Sequence, residues 1–136
     1  MSNMLHLKIV TPERLSLEEE VDQVNLPTTI GEIGILPHHE NLMAKIIPGE
    51  LRIKKGSKEE VLAVGEGFMQ VMDNTLTVMT DLAVEEGDID EKKVEEAKKR
   101  AEQALEQKLS DEEYAETLAI LEKSLAQLRV KRRHHH

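Results

Sequence analysis

The side chains that could do chemistry in this sequence are carboxylates and histidines, because cysteine is absent. Thiol nucleophiles, disulfides and thiolate metal sites are therefore excluded. The adjacent His38 and His39 lack the i, i+4 spacing of a helical metal pair, and a solvated loop is the simpler interpretation. Gly65-Glu66-Gly67 lacks the third glycine of a dinucleotide site. The carboxylates form no recognised acid/base pattern, so we expect no catalytic site and no metal site.

The composition limits the kinds of partner that we expect this protein to bind. The 136 residues include 27 acidic and 18 basic side chains, a net charge of -9, which argues against nucleic acid as a ligand. Only Phe68 and Tyr114 are aromatic, so stacking platforms for bases or sugars are not expected. No apolar run reaches the roughly 20 residues needed to span a bilayer, and no signal peptide is visible. The residues alone predict a soluble, cytoplasm-facing binding or regulatory protein.

The chain changes character near Gly87. All seven glycines and all four prolines lie at or before this residue, and their absence afterwards predicts helix. We therefore expect one domain over residues 1–87 and a second over residues 88–133. Residues 134–136 are histidines and resemble the remnant of an expression tag, with a metal-binding tail as the alternative.

The first part has the period of two that is typical of strands. Leu5, Leu7 and Ile9 alternate with more polar residues, a second segment is expected to stop at Pro27, and Asp73-Asn74 suits a hairpin turn. Short strands between turn signals predict an antiparallel β-sandwich or a flattened barrel. Because aromatic residues are so few, we expect an aliphatic core filled by methionine. The acidic run at 18–20 is expected to be a solvated strand edge.

The second part predicts an antiparallel α-helical hairpin, with helices over about 89–107 and 111–130. Asp88 with Glu91 and Ser110 with Glu113 have the spacing of capping boxes. Heptad spacing predicts the packed seams. These are Val94, Ala97, Ala101 and Ala104 on the first helix, and Tyr114, Leu118, Leu121, Leu125 and Leu128 on the second. The alanine-rich side loses little apolar burial if it detaches, which permits a movable element.

Several motifs, in order from about Leu5 to Val130, resemble the epsilon subunit of bacterial F-type ATP synthases. Residues 31–39 are similar to the family's G-E-x-G-I-x-P-x-H loop, and residues 47–53 to its P-G-x-x-R-I segment. Residues 65–71 are similar to its G-G-x-x-E-V strand, with Glu66 in place of the second glycine, and Asn41 replaces a usual proline. Residues 89–91 open the helical region as the I/L-D-x-x-R-A motif does, and residues 126–130 resemble the closing helix.

The resemblance implies a non-catalytic central-stalk subunit of a proton-translocating ATP synthase, peripheral on the cytoplasmic face of the bacterial cell membrane. The sandwich would bind the gamma subunit and the c-subunit ring, coupling rotation to ATP synthesis, with the ring contacted by loop 31–42 through Glu32 and His39. The alternative for these two residues is a tight turn that only closes the sandwich. The hairpin would reach the catalytic alpha/beta hexamer and inhibit ATP hydrolysis. Its contacts would be the basic residues Lys123, Arg129, Lys131, Arg132 and Arg133, which could equally stabilise a helix C-terminus.

Nucleotide binding is the second hypothesis, in which the hairpin of an ATP sensor closes on its ligand. The resemblance implies Ile89, Asp90, Lys93 and Arg100 as the candidate residues. The family's R-A pair is Lys93-Val94 here, and lysine lacks the planar fork of arginine. Two arginines of ATP-binding members are Lys123 and Gln127. These departures argue against ATP as a cofactor. A small enzyme on a β-sandwich is a third hypothesis, for which the sequence offers no constellation of residues.

Overall fold

The computed structural model describes residues 3–134, which form ten strands, a short 3-10 turn and two helices. The strands are β1 Leu5–Thr11, β2 Arg14–Val21, β3 Gln23–Thr28, β4 Gly31–Ile35, β5 Leu42–Ile46, β6 Gly49–Lys55, β7 Lys58–Val64, β8 Gly67–Met72, β9 Thr75–Thr80 and β10 Ala83–Glu85. The 3-10 turn is Glu86–Asp88, and the helices are α1 Glu91–Leu105 and α2 Asp111–Arg133. The predicted β-sandwich followed by a helical hairpin is confirmed.

One continuous sheet folds over on itself to make the sandwich. Its strand order is β10-β7-β6-β3-β5-β8-β9-β1-β2, and β4 pairs with β3 beside this path. Neighbouring strands are antiparallel, as predicted, with one exception: β1 and β9 pair in parallel. The parallel pair arises because β9 enters between β8 and β1, which are far apart in sequence.

The core is aliphatic, and its residues alternate along the strands as predicted. Leu5, Leu7 and Ile9 are fully buried and meet the inward residues of the other strands. The prediction that methionine fills this core was wrong. Met69 is buried, whereas Met43, Met72 and Met79 are exposed, because they occupy the alternate positions that face outward.

Two strands differ from the sequence prediction. β3 continues through Pro27, which has no N–H to donate but whose carbonyl accepts a bond from the Ile47 N–H at 3.1 Å. β4 occupies the first part of the segment predicted as loop 31–42. It pairs with β3, and the pairing begins with Thr28 opposite Gly31. The predicted turn at Asp73-Asn74 is confirmed, and both residues have the positive φ that a two-residue hairpin turn requires.

The helices pack antiparallel, since Arg132 at the end of α2 contacts Glu91 and Glu95 at the start of α1. The capping box of Ser110 and Glu113 is confirmed. The one predicted at Asp88 was wrong, because Asp88 lies in the 3-10 turn and Asp90 caps α1 by accepting from the Lys93 N–H. The α2 seam also differs. Tyr114 and Leu125 are exposed, and the buried residues of α2 are Ser124, Ala126, Leu128 and Val130.

Candidate functional site

The hairpin rests on the sandwich through a small apolar contact. We call the buried residues Ala63, Ile89, Val94, Leu128 and Val130 the hairpin interface. Ala63 belongs to β7, so the hairpin covers the outer face of a strand whose inner face joins the main core. Burial of a Val or Leu contributes about 1.5–3 kcal/mol, so Leu128 and Val130 together give at most about 3–6 kcal/mol. This is a modest attachment for an element of two helices.

Three cations of α2 supplement this contact with ion pairs to groups outside the hairpin. Lys123 Nζ lies 3.6 Å from Asp81 Oδ2, and Arg133 Nη1 lies 3.5 Å from Glu50 Oε2. Lys131 Nζ lies 3.8 Å from the Glu86 carboxylate and donates to the Glu86 carbonyl at 3.3 Å. Exposed pairs of this kind contribute about 0.2–1 kcal/mol each. These pairs add to the attachment of the hairpin, but the contribution of each is small.

The remaining cations predicted as inhibitory contacts point elsewhere. Arg132 stays within the hairpin, where it donates to Glu91 at 2.9 Å and to Glu95 at 2.7 Å. These hydrogen bonds raise the pKa of Arg132. Burial acts to raise the pKa of Glu95, but the hydrogen bond from Arg132 and the nearby charge of Lys98 together lower it. Arg129 is exposed and forms no hydrogen bond or ion pair within residues 3–134. The five residues thus lie along one helix but have three different surroundings.

Of the two predicted ring contacts, Glu32 lies in β4 and His39 lies just after it. Glu32 is the second residue of β4, half-exposed, and accepts from Arg52 Nη2 of β6. His39 follows the strand, and its Nδ1 lies 2.8 Å from the carbonyl of Glu40. The loop around it is tied to the β8–β9 turn by a bond from the His38 N–H to Asn74 Oδ1 at 2.8 Å. The loop is therefore held in place, although no direct contact joins Glu32 to His39.

Sequence reasoning missed an apolar row on the outer face of the sandwich. Phe68 of β8 lies opposite Met79 of β9, Met79 opposite Val10 of β1, and Val10 opposite Leu15 of β2. We call these four residues the outer row. Phe68 is 55% exposed, Leu15 50% and Met79 41%, which is unusual for aligned large apolar side chains. Alternation gave no signal for this row, because Phe68 and Met72 on one side of β8 are as apolar as Met69 and Val71 on the other.

The candidate nucleotide residues do not surround a common cavity. Ile89 is buried in the hairpin interface, and the Asp90 carboxylate is used to cap α1. Lys93 and Arg100 are exposed and stand two helical turns apart, about 10 Å along the axis. A groove at the start of α1 includes neither of them. It is lined by Glu91, Lys92, Glu95, Glu96, Lys99 and Arg132. Its three carboxylates balance its three cations, so the groove has no excess of positive charge that would favour a phosphate chain.

Among residues 3–134, no group of three histidine and acidic side chains could hold a metal ion. In the same part of the chain, no helix is long and apolar enough to cross a membrane. His134 lies 2.7 Å from Glu50 through Nε2, while the other two terminal histidines, also predicted as a tag remnant, lie outside the described residues.

Comparison with known proteins gives the family. Residues 4–86 match the model of the ATP synthase delta/epsilon chain beta-sandwich domain, and residues 88–132 match that of its long alpha-helix domain. The ATP synthase epsilon chain of Herpetosiphon aurantiacus is 40% identical over 126 residues, covering 93% of both chains. That of Chromobacterium violaceum is 41% identical over 132 residues, covering 96% of this chain and 94% of the relative.

Solved structures agree with this assignment. A chain in the Euglena gracilis mitochondrial ATP synthase, solved as OSCP/F1/c-ring in rotational state 1, superposes with a TM-score of 0.75 at 25% identity, covering 95% of this chain and 81% of that chain. A chain in the central stalk/c-ring structure of the Tetrahymena thermophila enzyme has the same fold, with a TM-score of 0.59 at 18% identity, covering 94% of this chain and 93% of that chain. Two domain models in sequence order, relatives at about 40% identity over nearly the whole chain and a shared fold show that this chain belongs to the epsilon-chain family of ATP synthases.

Proposed function

We propose that this chain is a non-catalytic central-stalk subunit that couples rotation to ATP synthesis through its sandwich and inhibits ATP hydrolysis through its hairpin. The observation that carries the proposal is the way α2 sits on the sandwich. A small apolar interface, three partly exposed ion pairs and the contact of His134 with Glu50 hold it there. An element attached in this way can leave its position without unfolding the main core.

The inhibitory contacts follow from the same geometry. Lys123, Lys131 and Arg133 have carboxylate partners while the hairpin is docked on the sandwich. When the hairpin leaves, these cations lose their partners and, with Arg129, become available to an acidic surface of the catalytic hexamer. Docking and inhibition therefore exclude one another, because both use the same side chains.

The sandwich would provide the two rotor contacts. Glu32 and His39 would contact polar loops of the c ring, since both are accessible and the loop of His39 is held by Asn74. The outer row of Phe68, Met79, Val10 and Leu15 would bind the gamma subunit, because aligned exposed apolar residues are typical of protein interfaces. The subunit would then be peripheral on the cytoplasmic face of the membrane, in an enzyme that transports protons. The related chain of the Euglena gracilis enzyme was solved together with F1 and the c ring, which supports this arrangement.

The test is the ATP hydrolysis rate of reconstituted complexes. We compare the full chain, a chain ending at Gly87, and the variant with Arg129, Lys131, Arg132 and Arg133 replaced by alanine. We expect the truncated chain to assemble, support ATP synthesis and raise hydrolysis, and the charge-neutralised chain to release part of the inhibition.

A matched control removes the same charge from α1 and the helix connection, at Lys92, Lys98, Lys99 and Lys108. This control should remain inhibitory, because these residues lie outside the C-terminal turns of α2. Equal hydrolysis rates for the full, truncated and neutralised chains would leave the hairpin with a structural role only and contradict the proposal.

A further inference from the structure

A continuous series of charged contacts crosses the outer face of the sandwich from β4 to the end of α2. Glu32 of β4 contacts Nη2 of Arg52 on β6. Nε of Arg52 lies 3.6 Å from Glu50 Oε2, and the same Glu50 oxygen lies 3.5 Å from Arg133 Nη1. We call these four residues the Arg52 network. It joins the proposed ring contact to one of the ion pairs that hold the hairpin down.

The guanidinium of Arg52 lies between the carboxylates of Glu32 and Glu50 and contacts the first more closely. The group is largely enclosed, with 26% of the side chain exposed, and Glu50 is more enclosed still at 13%. Arg52 forms its hydrogen bond with Glu32, whereas its Nε is buried and has no hydrogen-bond partner. A buried N–H without an acceptor costs free energy, so a movement of Arg52 that supplies an acceptor is favoured. Glu50 is the carboxylate nearest to this N–H.

Glu50 has competing partners in turn. The C-terminus of the hairpin approaches it with Arg133 at 3.5 Å and His134 at 2.7 Å, while Arg52 approaches from its own strand. Arg52 Nε and Arg133 Nη1 both face the same oxygen, Oε2 of Glu50. A closer approach of Arg52 would bring two guanidinium charges together at that oxygen, and their repulsion would weaken the hold of Glu50 on the hairpin.

We propose that Arg52 is a positioning residue that links the partner of Glu32 to the docking of the hairpin, a link that rests on the proposed function at both ends. While Glu32 binds Arg52, Glu50 is left to hold Arg133, and the hairpin stays docked. When a polar group of the rotor takes Glu32, Arg52 turns to Glu50, the bond to Arg133 weakens, and the hairpin leaves more readily. A rotor contact at β4 thereby weakens the ion pair between Glu50 and Arg133, on the part of the sheet that the hairpin covers.

The experiment measures docking in the isolated full-length chain. Because the chain contains no cysteine, spin labels can be placed at two introduced cysteines, Ser57→Cys in the β6–β7 turn and Glu122→Cys on α2, both exposed positions. The label-to-label distance distribution gives the ratio of docked to undocked hairpin. We expect Glu32→Gln to lower this ratio about two- to fivefold, the range of a partly exposed ion pair.

The decisive comparison is a double-mutant cycle. In an Arg52→Gln background, Glu32→Gln should leave the ratio unchanged, because the connection between Glu32 and Glu50 is gone. Glu50→Gln provides a second background with the same expectation, should Arg52→Gln fold poorly. Glu66→Gln removes a matched charge that pairs with Lys45 on β5 and should not alter docking.

Two results would overturn the proposal. One is an unchanged ratio in Glu32→Gln, and the other is an equal decrease with and without Arg52, which would indicate a direct field effect of the Glu32 charge. Binding of the Glu32→Gln chain to isolated c ring is measured separately. Loss of ring binding without a change in docking refutes the network and leaves the proposed function intact, whereas unchanged ring binding refutes the ring contact whatever the docking result.

Discussion

At the scale of single residues, His6 shows how one side chain can secure a strand at the edge of a sheet. Its Nδ1 lies 2.6 Å from Glu20 and its Nε2 lies 2.6 Å from Glu18, both on β2, the last strand of the sheet. The hydrogen bonds to Glu20 and then to Glu18 raise the pKa of His6 above its ordinary value. Glu19, between them, turns inward, and burial raises its pKa. The run predicted as a uniformly solvated edge therefore alternates like the rest of the strand.

This arrangement predicts a pH-dependent stability. The pKa of a histidine in the unfolded chain is about 6.5, and the pKa of His6 in the folded protein is higher. The stabilisation is thus complete below that unfolded value and is lost as the pH rises through the folded pKa. Urea unfolding between about pH 6 and pH 9 should show a falling stability that His6→Gln flattens.

The control for this experiment is His39→Gln. His39 contacts a backbone carbonyl rather than a carboxylate, so that variant should keep the falling slope of the parent chain. The assignment would be refuted if His6→Gln and the parent showed the same dependence of unfolding free energy on pH.

At the scale of elements, the helices were more predictable than their ends. The spacing of Ser110 and Glu113 located the start of α2, because a capping box is a local device. The same reasoning failed at α1, where Asp88 and Asp90 are both available and only Asp90 reaches an amide three residues on. β4 was missed because the family resemblance described residues 31–42 as a loop. Gly34 in fact allows close pairing, since a Cβ there would lie 2.8 Å from the Asn25 side chain on β3.

The cap of α2 should be measurable in isolation. Its first turns are exposed and separate from the hairpin interface, so their stability depends on local bonds. Ser110 Oγ accepts from the Glu113 N–H at 3.1 Å, and the Ser110 backbone and side chain lower the pKa of Glu113. Ser110→Ala should cost about 1 kcal/mol of local stability and speed amide exchange over residues 113–117. Ser57→Ala, in a turn, is the control, and unchanged exchange in Ser110→Ala would contradict the role of the cap.

At the scale of the whole molecule, the sandwich has two outer faces with different chemistry. One is covered by the hairpin and carries the Arg52 network, and the other displays the outer row. The change of composition at Gly87 predicted a helical part, but not which face of the sandwich it covers, since that depends on long-range packing. Nor could alternation decide which side of β8 faces out, because Phe68 and Met72 are as apolar as Met69 and Val71.

The outer row should matter for assembly and little for folding. Replacing Phe68 with aspartate and Met79 with lysine should weaken binding to the gamma subunit at least about tenfold, as expected when central apolar residues of an interface are lost. The unfolding free energy should change by only about 0.5 kcal/mol, because both side chains are substantially exposed. Ile120→Asp, an exposed apolar position on α2, is the control. Undiminished gamma binding by the double variant would exclude this face as the interface.

The central claim is that the hairpin inhibits hydrolysis only after leaving the sandwich. It is tested most directly by fixing the hairpin where the structure has it. Cysteines at Asp81 and Lys123, which form an ion pair across the interface, can be joined by a short reducible cross-linker in a chain that has no other cysteine. We predict that complexes reconstituted with the cross-linked chain hydrolyse ATP at the uninhibited rate, and that reduction of the linker restores inhibition. Full inhibition by the cross-linked chain would contradict the account.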